Sequence, residues 1–273
     1  MTTKSAVMSV DGKIHNDVQL PEIFDTPFRP EVIHKVYVNL LSHLFQKQGR
    51  YPAAGELVSA ESRNTGLGIA RLARIRGEGF SRAGQAAGVA GVRHGRVAHP
   101  PESSKRIYKK INKKEKRLGL CSAIAATAHR DLIESRGHNV KNISSFPIIV
   151  SNEFESISKT QDLQKALIAL GLGEDLMRSK RSTRRSRAQK TGARRKKSSG
   201  ISALAIVSNS STVRRLSNSI PGVDIRSVES LSVLDLAPGS KPIRLTIFSE
   251  AALQYLDRLT THIQGKKFGE SVE

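Results

Sequence analysis

Apolar residues first recur at helical spacing just after Pro30. The repeat predicts an amphipathic helix that begins at Pro30, where proline suits the first helical position, and ends near Gly49. The broad apolar face of this helix, which we expect to pack into a core, consists of Ile33, Val36, Tyr37, Leu40, Leu41, Leu44 and Phe45. This is the first clear element of the sequence.

A second helical pattern follows a basic run and leads into a regular alternation of elements. Residues 121–133 predict one helix, with Cys121 on its apolar face and Gly137 as its stop. Beyond it, short apolar runs predict buried strands. They occupy residues 146–150, 203–207, 223–228 and 243–248.

Helical patterns separate these strands. A capping box at Ser158 and Gln161 would open one helix, and a short helix is expected near residues 212–217. Ser249 is expected to cap a final helix. The core-facing residues of that helix are Ala252, Leu253, Leu256 and Leu259. Strands alternating with helices predict the α/β class, here a Rossmann-like globular body with a mostly parallel sheet flanked by helices.

Residues 55–106 interrupt this regularity. Eight glycines between Gly66 and Gly95 are interleaved with arginines, and Phe80 is the only aromatic residue there. Such a segment cannot bury enough apolar surface to offset its ordering entropy, so alone it should be mobile. It is either a flexible linker or a loop that RNA orders. The regular arginines favour the loop, because arginine supplies forked donors for phosphate and glycine allows close backbone approach.

The predicted organisation therefore has three parts. Residues 1–54 and 107–273 form the α/β globular body, and residues 55–106 form a long extended Gly/Arg-rich loop inserted in it. Within the body, residues 178–197 form a basic RNA-binding segment with eleven Lys or Arg and no acid. As a hairpin with about 25 residues per arm, the loop could project on the order of 80 Å.

The charge of the chain identifies the class of partner. A formal net charge of +21 attracts polyanions, and nucleic acid is the first candidate. A membrane surface is the second, but the basic residues do not lie opposite a large apolar helical face. Charge as dense as that of residues 178–197 is self-repelling, which indicates a polyanionic partner. Because aromatic residues are only 4% of the chain, phosphate contact and shape should dominate over base stacking.

The candidate RNA-binding residues are the arginines of the loop, the basic run that follows it, and the basic segment. They are Arg63, Arg71, Arg74, Arg76, Arg82, Arg93, Arg96, Lys105, Arg106, Lys109, Lys110, Lys113, Lys114, Lys116, Arg117, Arg181, Arg184, Arg185, Arg187, Lys190, Arg194, Arg195, Lys196 and Lys197.

Motifs for catalysis do not accompany these residues. The nearest approach to a dinucleotide fingerprint begins at Gly66 and Gly68, but Arg71 takes the third glycine position and no strand is predicted before it. The eight histidines show no metal-binding spacing. No catalytic, cofactor-binding or metal-ligating residue is predicted, and the chain is not expected to be an enzyme. Two alternatives stay open: an RNA-modifying enzyme such as a methyltransferase, and an architectural DNA binder.

Cysteine usage and apolar runs bear on the compartment. The single cysteine, Cys121, cannot form an internal disulfide, which suits a reducing cytosol, and it is expected to lie in the core. No apolar run approaches the roughly 20 residues of a membrane-spanning helix, and residues 1–10 lack a signal-peptide core. We expect a soluble protein that is not exported.

Several stretches resemble the universal ribosomal protein L-four family, in its archaeal and eukaryotic branch. The most specific are IPGVD at residues 220–224, LSVLDLAPG at residues 231–239, and the run 243–251. NTG at residues 64–66, RIRG at 74–77 and RAGQ at 82–85 fall where the arginine-glycine-rich loop of that family begins. The resemblance covers essentially the whole chain, and the lack of a long basic tail after Glu273 favours the archaeal type.

The resemblance implies a structural protein of the large ribosomal subunit in the cytoplasm. Its partners would be large-subunit rRNA, neighbouring large-subunit proteins and the nascent polypeptide, with no cofactor, small-molecule substrate or membrane. The loop would line part of the polypeptide exit tunnel. The residues expected nearest the tunnel are Gly77, Gly79, Phe80, Arg82, Gly84, Gly88 and Gly91.

Overall fold

The computed structural model describes residues 4–188, 200–241 and 243–261. The chain divides into two compact units, each treated by itself. The body is Met1–Leu41 together with Lys109–Glu273, and the insert is Ser42–Tyr108. The insert thus begins at Ser42, whereas the sequence places the first boundary after residue 54.

The elements are numbered in chain order through the described residues. The strands are β1 (Lys4–Met8), β2 (Ile14–Gln19), β3 (Ala60–Ser62), β4 (Ala73–Ile75), β5 (Ile148–Val150), β6 (Leu204–Val207), β7 (Asp224–Ser227) and β8 (Thr246–Ser249). The α-helices are α1 (Pro30–Leu41), α2 (Lys113–Ala126), α3 (Arg130–Ser135), α4 (Thr160–Leu167), α5 (Gly173–Ala188), α6 (Val233–Leu236) and α7 (Glu250–Thr261). Strands β3 and β4 belong to the insert and the remaining elements to the body.

The body is built on one six-stranded sheet in the order β2-β1-β5-β8-β6-β7. Strand β2 is antiparallel to β1, with Lys4 opposite Gln19, and every other neighbouring pair in the sheet is parallel. The predicted α/β class and mostly parallel sheet are confirmed.

Apolar side chains cover both faces of this sheet, because successive residues of a strand point to opposite sides. Ile149, Ile206 and Phe248 belong to a cluster that also holds buried residues of α1, α2 and α7. Ile148 and Ile247 belong to a second cluster with residues of α3 and α4. The central strands therefore have no polar face, as expected for a parallel sheet between helices.

The four strands predicted from apolar runs all form, each within a few residues of its predicted range. The short helix predicted near residues 212–217 is a 3-10 turn, Thr212–Leu216. Ser249 begins the last helix as predicted, since its Oγ accepts the Ala252 N–H at 3.1 Å. The agreement is best for strands β6 and β8, whose residues are all buried.

Three predictions about helices are wrong. Helix α1 ends at Leu41, and the side chains of Leu44 and Phe45 are exposed at 71% and 54%, because the chain leaves the core there for the insert. The single helix predicted at residues 121–133 is two, α2 and α3, separated where His129 adopts an extended conformation. No capping box forms at Ser158.

The insert consists of short paired segments. Strands β3 and β4 are antiparallel, with Glu61 opposite Arg74. On its other side β4 bonds to the chain near residue 86, where the Ala87 N–H donates to the Ala73 carbonyl at 3.0 Å. The chain therefore reverses at residues 63–72 and again at 76–83, so that three segments lie side by side. The simple two-armed hairpin predicted from the sequence is wrong.

The two ends of the insert lie close to each other. The Arg50 N–H donates to the Pro101 carbonyl at 3.2 Å, and the rings of His43 and Tyr108 meet edge to face at 5.6 Å. At Gly55, a Cβ atom would lie 2.9 Å from the Arg96 Cα, so glycine is needed where the outgoing and returning chains touch. Pairing between the outgoing and returning segments, rather than an apolar core, organises the insert.

Candidate nucleic-acid interface

The apolar side chains of the insert are exposed or half-buried, with one exception. Among its residues, Ala87 is the one buried apolar residue. The apolar side chains left exposed include Tyr51, Leu57, Leu67 and Phe80, which are 48–76% exposed. Because burial of apolar surface contributes little here, backbone hydrogen bonds within the insert contribute most to its form.

The predicted arginines of the insert fall into two groups. Arg74 and Arg96 are half-buried and contact the insert itself, since an Arg74 guanidinium nitrogen donates to the Gly84 carbonyl at 2.9 Å and the Arg96 Nε lies 3.4 Å from a Glu56 oxygen. Arg76 is exposed and pairs with Glu61. The remaining predicted cations of the insert are exposed: Arg63, Arg71, Arg82, Arg93, Lys105 and Arg106.

Residues predicted to lie nearest the tunnel occupy the last reversal of the insert and the chain after it. Phe80 packs its ring edge over Gly77, where a Cβ would lie 2.9 Å from the ring. Gly77 has φ of +101°, a conformation that a residue with a side chain rarely adopts. Positive φ values also occur at Gly79, Gly84, Gly88 and Gly91. The backbone of this stretch therefore depends on glycine.

In the body, the first turns of α2 carry a dense group of cations. One face of α2 packs tightly on α1, because a Cβ at Gly119 would lie 2.7 Å from a Val36 methyl carbon. Glu115 bonds the Lys35 ammonium at 2.7 Å. This packing leaves the other predicted cations of the region exposed: Lys109, Lys110, Lys113, Lys114, Lys116 and Arg117.

Helix α5 carries the first half of the predicted basic segment. Lys180 and Arg181 are exposed. Arg184, Arg185 and Arg187 belong to its last turns, where the helical backbone is described and the side chains lie outside the described residues. The predicted contacts of Lys190, Arg194, Arg195, Lys196 and Lys197 also lie outside the described residues.

The base of α5 is attached to the body by a buried polar cluster centred on Asp175, whose side chain is fully buried. One carboxylate oxygen accepts the Arg178 Nε–H at 2.8 Å and the Asn139 N–H at 3.1 Å. The other accepts the Ser202 hydroxyl at 2.6 Å and lies 3.1 Å from the His138 Nδ1. Four donors thus surround one carboxylate.

These contacts determine the charges in the cluster. Burial alone would raise the pKa of Asp175, but hydrogen bonds from His138, Arg178 and Ser202 outweigh it and hold that pKa well below its usual range. For His138, burial lowers the pKa, although the bond to Asp175 opposes the change. The backbone N–H of Leu245 approaches the His138 Nε2 at 3.4 Å, and the Asp175 carboxylate faces Nδ1, which together favour the tautomer protonated at Nδ1. Asp175 is therefore ionised and His138 neutral.

A second buried cation lies beside this cluster. Arg244 is 2% exposed, and its guanidinium donates to the carbonyls of Ser202 and Gly222 at 2.6 and 2.7 Å. It also bonds the Asp224 carboxylate at 2.6 Å. Arg244 joins the chain that enters β6 to the chain that enters β7, so its charge stabilises the fold and does not face a partner.

The sequence analysis did not identify this cluster. Arg178 is three residues from Asp175, but Ser202 and His138 are 27 and 37 residues from it in the chain, and no local motif connects them. One signal was present: Asp175 is the last acid before a stretch without carboxylates that extends to Asp224. An acid at the edge of a basic segment is a candidate for a structural ion pair.

Sites for metals or nucleophilic chemistry do not emerge from the described part of the chain. No group of three or more His, Cys, Asp or Glu residues there is arranged to hold a metal ion. Cys121 is buried as predicted, and burial raises the pKa of its thiol to about 11. None of the helices described has the length and apolarity needed to cross a bilayer.

Helices α2 and α5 of the α/β body carry exposed cations, and so does the insert. The protein is therefore a basic α/β protein with surfaces suited to a polyanion. Comparison with known proteins identifies the family. A sequence model of the ribosomal protein L4/L1 family matches residues 18–259. The chain belongs to this family of ribosomal proteins, which are not enzymes, and the predicted resemblance is confirmed.

Curated relatives match over nearly their whole length. Large ribosomal subunit protein uL4 of Pyrobaculum aerophilum is 37% identical over 255 residues, which cover 93% of this chain and 89% of the relative. The protein of the same name from Thermoplasma acidophilum is 36% identical over 94% of this chain and 98% of its own. That of Sulfolobus acidocaldarius is 36% identical over 93% and 94%. All three are archaeal, as the resemblance implied.

Proposed function

We propose that this protein is a structural constituent of the large ribosomal subunit in the cytoplasm, where it binds large-subunit rRNA and neighbouring proteins and helps to assemble the particle. The observation that carries the proposal is the set of exposed cations at residues 109–117 on and just before α2. One side of that helix is occupied by α1, and the side chains of these cations are exposed on the surface of the body. Membership of the family supports the same partner.

The insert extends this proposal. Its exposed arginines would neutralise phosphates of rRNA helices that pack around it, and rRNA would bury the apolar side chains that the insert leaves exposed. We assign the stretch from Arg74 to Arg93 to the wall of the polypeptide exit tunnel, near the nascent chain. We also propose that the body is Rossmann-like and that residues 55–106 are extended in the assembled particle.

Binding to isolated large-subunit rRNA at several salt concentrations tests the first part. Each neutralised phosphate should contribute about 0.7 to 0.9 to the slope of log affinity against log salt. Replacing Lys110, Lys113 and Lys114 by Gln should reduce both the affinity and the slope.

The matched control removes three exposed lysines elsewhere on the body, Lys13, Lys159 and Lys165, also to Gln. It changes net charge equally, but these lysines lie outside the proposed interface, so it should reduce affinity much less. Equal losses in the two variants would mean that only net charge matters, and a slope near zero in the parent protein would refute the proposed function.

The tunnel assignment requires its own experiment. Photo-reactive groups placed in a nascent chain held in the upper tunnel should crosslink to residues of the stretch from Arg74 to Arg93. Crosslinks to rRNA and other proteins alone, together with density for the insert on the outer surface of the subunit, would refute this assignment and leave the RNA-binding proposal intact.

A further inference from the structure

Helix α5 is attached to the body in an unusual way. Among its residues with described side chains, 173–182, Leu176 packs half-buried against the second apolar cluster, but the two that are fully buried are Asp175 and Ser179, which lie one turn apart and are both polar. A surface helix normally packs through an apolar stripe, whose contacts tolerate small shifts. Hydrogen bonds to buried groups are directional, so they hold a helix in one orientation.

The same contacts also fix the chain that returns to the body at residue 200. The Ser179 hydroxyl donates to the Gly200 carbonyl at 2.5 Å, and an Arg178 guanidinium nitrogen donates to the Ile201 carbonyl at 2.7 Å. Ser202 donates to Asp175. At Gly200, a Cβ would lie 2.5 Å from the Ser179 carbonyl oxygen, so the two backbones are in contact. We call Asp175, Arg178, Ser179 and Ser202 the clamp.

Beyond the clamp, α5 has little of its own to keep it helical. Its sequence from residue 180 to 188 contains five cations and no large apolar residue. Arg181 and Arg185 lie at i,i+4 spacing, where like charges repel. Starting a helix is the costly step, and each further residue adds one hydrogen bond. A base held rigidly in helical form therefore supplies the nucleus for the charged turns that follow.

We propose that the clamp sets the direction and the helical state of α5, and that Asp175 and Ser202 are thereby positioning residues for polyanion binding although neither faces the polyanion. The inference rests on the proposed function. The clamp holds the backbone of α5 in one direction before RNA arrives, so less ordering entropy is lost on binding.

A two-background comparison tests this. The mild variant is Ser202→Ala, which removes one donor to Asp175 without changing charge, and Asp175→Asn is the stronger one. Each is placed in the parent protein and in a charge-neutral version with Arg181, Arg184, Arg185 and Arg187 changed to Gln, which preserves helix propensity. Affinity for isolated large-subunit rRNA, the urea midpoint of unfolding and hydrogen exchange of amides 180–188 are measured in all of them.

In the parent background Ser202→Ala should weaken RNA binding about three- to tenfold and speed exchange of amides 180–188. In the charge-neutral background it should leave affinity unchanged, while its effect on the urea midpoint is the same in both. The control is Ser227→Ala, which removes a hydroxyl that is equally buried and bonded to Ser230 rather than to the clamp. It should lower the urea midpoint without affecting RNA affinity.

Three results would overturn the inference. They are an equal loss of affinity in both backgrounds, a loss of stability with no loss of affinity, and unchanged exchange of amides 180–188. Failure of the proposed function has a different signature, because the parent protein itself would then bind rRNA without a steep salt dependence.

Discussion

His138 is held between a carboxylate and a backbone amide in the interior of the body. Its Nδ1 faces Asp175 and its Nε2 faces the Leu245 N–H, so a second proton would point at an existing donor. Burial lowers its pKa, and the folded protein therefore binds fewer protons than the unfolded chain once the pH falls below the ordinary pKa of about 6.5. Its contribution to stability is complete above that pH and is lost below it.

We therefore expect the urea midpoint of unfolding to decrease as the pH is lowered from 7.5 to 5.5. The decrease should be smaller in His138→Gln. Asp175 does not contribute to this window, because its depressed pKa affects stability only as the pH falls through the acidic range. His99 is exposed, so His99→Gln should keep the full dependence of the parent. Equal pH dependence in the parent and in His138→Gln would contradict the assignment of a neutral buried histidine.

Two arginines of the body allow a comparison of buried and exposed ion pairs. Arg244 is buried and bonds a carboxylate and three backbone carbonyls, whereas Arg226 is half-exposed and pairs with Asp235 at 3.2 Å. Arg244→Lys leaves carbonyls unbonded, so it should reduce the free energy of unfolding by about 3 to 5 kcal/mol. Arg226→Lys should cost about 1 kcal/mol or less. Urea unfolding of both variants measures the difference. Similar losses of unfolding free energy would show that burial does not determine how much each arginine contributes to stability.

At the scale of elements, the N-termini of two helices distinguish a helix cap from a sequence motif. Ser249 accepts the Ala252 N–H, so Ser249→Ala should cost about 1 to 2 kcal/mol of unfolding free energy. Ser158 satisfies the motif but makes no cap, because the extended residue before α4 is Lys159. Ser158→Ala should change stability by less than about 0.5 kcal/mol, as an exposed substitution does. Thermal or urea unfolding of the pair would decide between them.

The strands that sequence reasoning predicted best are those whose residues are buried. Strands β5, β6 and β8 are buried at every position, and a continuous apolar run is a direct signal of that environment. The β1–β2 hairpin was missed because β2 lies at the edge of the sheet and alternates little: five of its six residues are exposed. Strand β2 forms because it pairs with β1, and a local sequence pattern does not reveal that pairing.

The break between helices α2 and α3 also could not be predicted from the local sequence pattern. Apolar spacing continues from Cys121 to Ile133, and both residues are buried, yet the chain turns between them. The Thr127 hydroxyl bonds back to the Ile124 carbonyl at 2.6 Å and α2 ends at Ala126. Threonine competes in this way for helix carbonyls, but tertiary context decides whether the helix ends. The exposed cations were readable from composition, while the clamp required knowledge of which distant segments meet.

For the whole molecule, the division into two units leads to a prediction about folding. The clusters that cover the sheet consist of body residues. The ends of the insert lie together at His43 and Tyr108, so a short linker can replace residues 42–108 with little change in loop-closure entropy. We expect that version to unfold in urea as a single cooperative transition followed by circular dichroism. A chain with only residues 63–72 shortened is the control, and the absence of a transition in the first version alone would show that the body needs the insert.

The order of strands determines when the body can fold during synthesis. Strand β8 lies between β5 and β6, yet its residues are made last of the six. Until Ser249 has left the ribosome that makes it, β1, β2 and β5 can form one half-sheet and β6 and β7 another, with no strand to join them. All the basic segments are already synthesised by then. A newly made chain therefore presents its cations to cellular RNA before its sheet is complete, so the strand order creates an interval in which these cations need shielding.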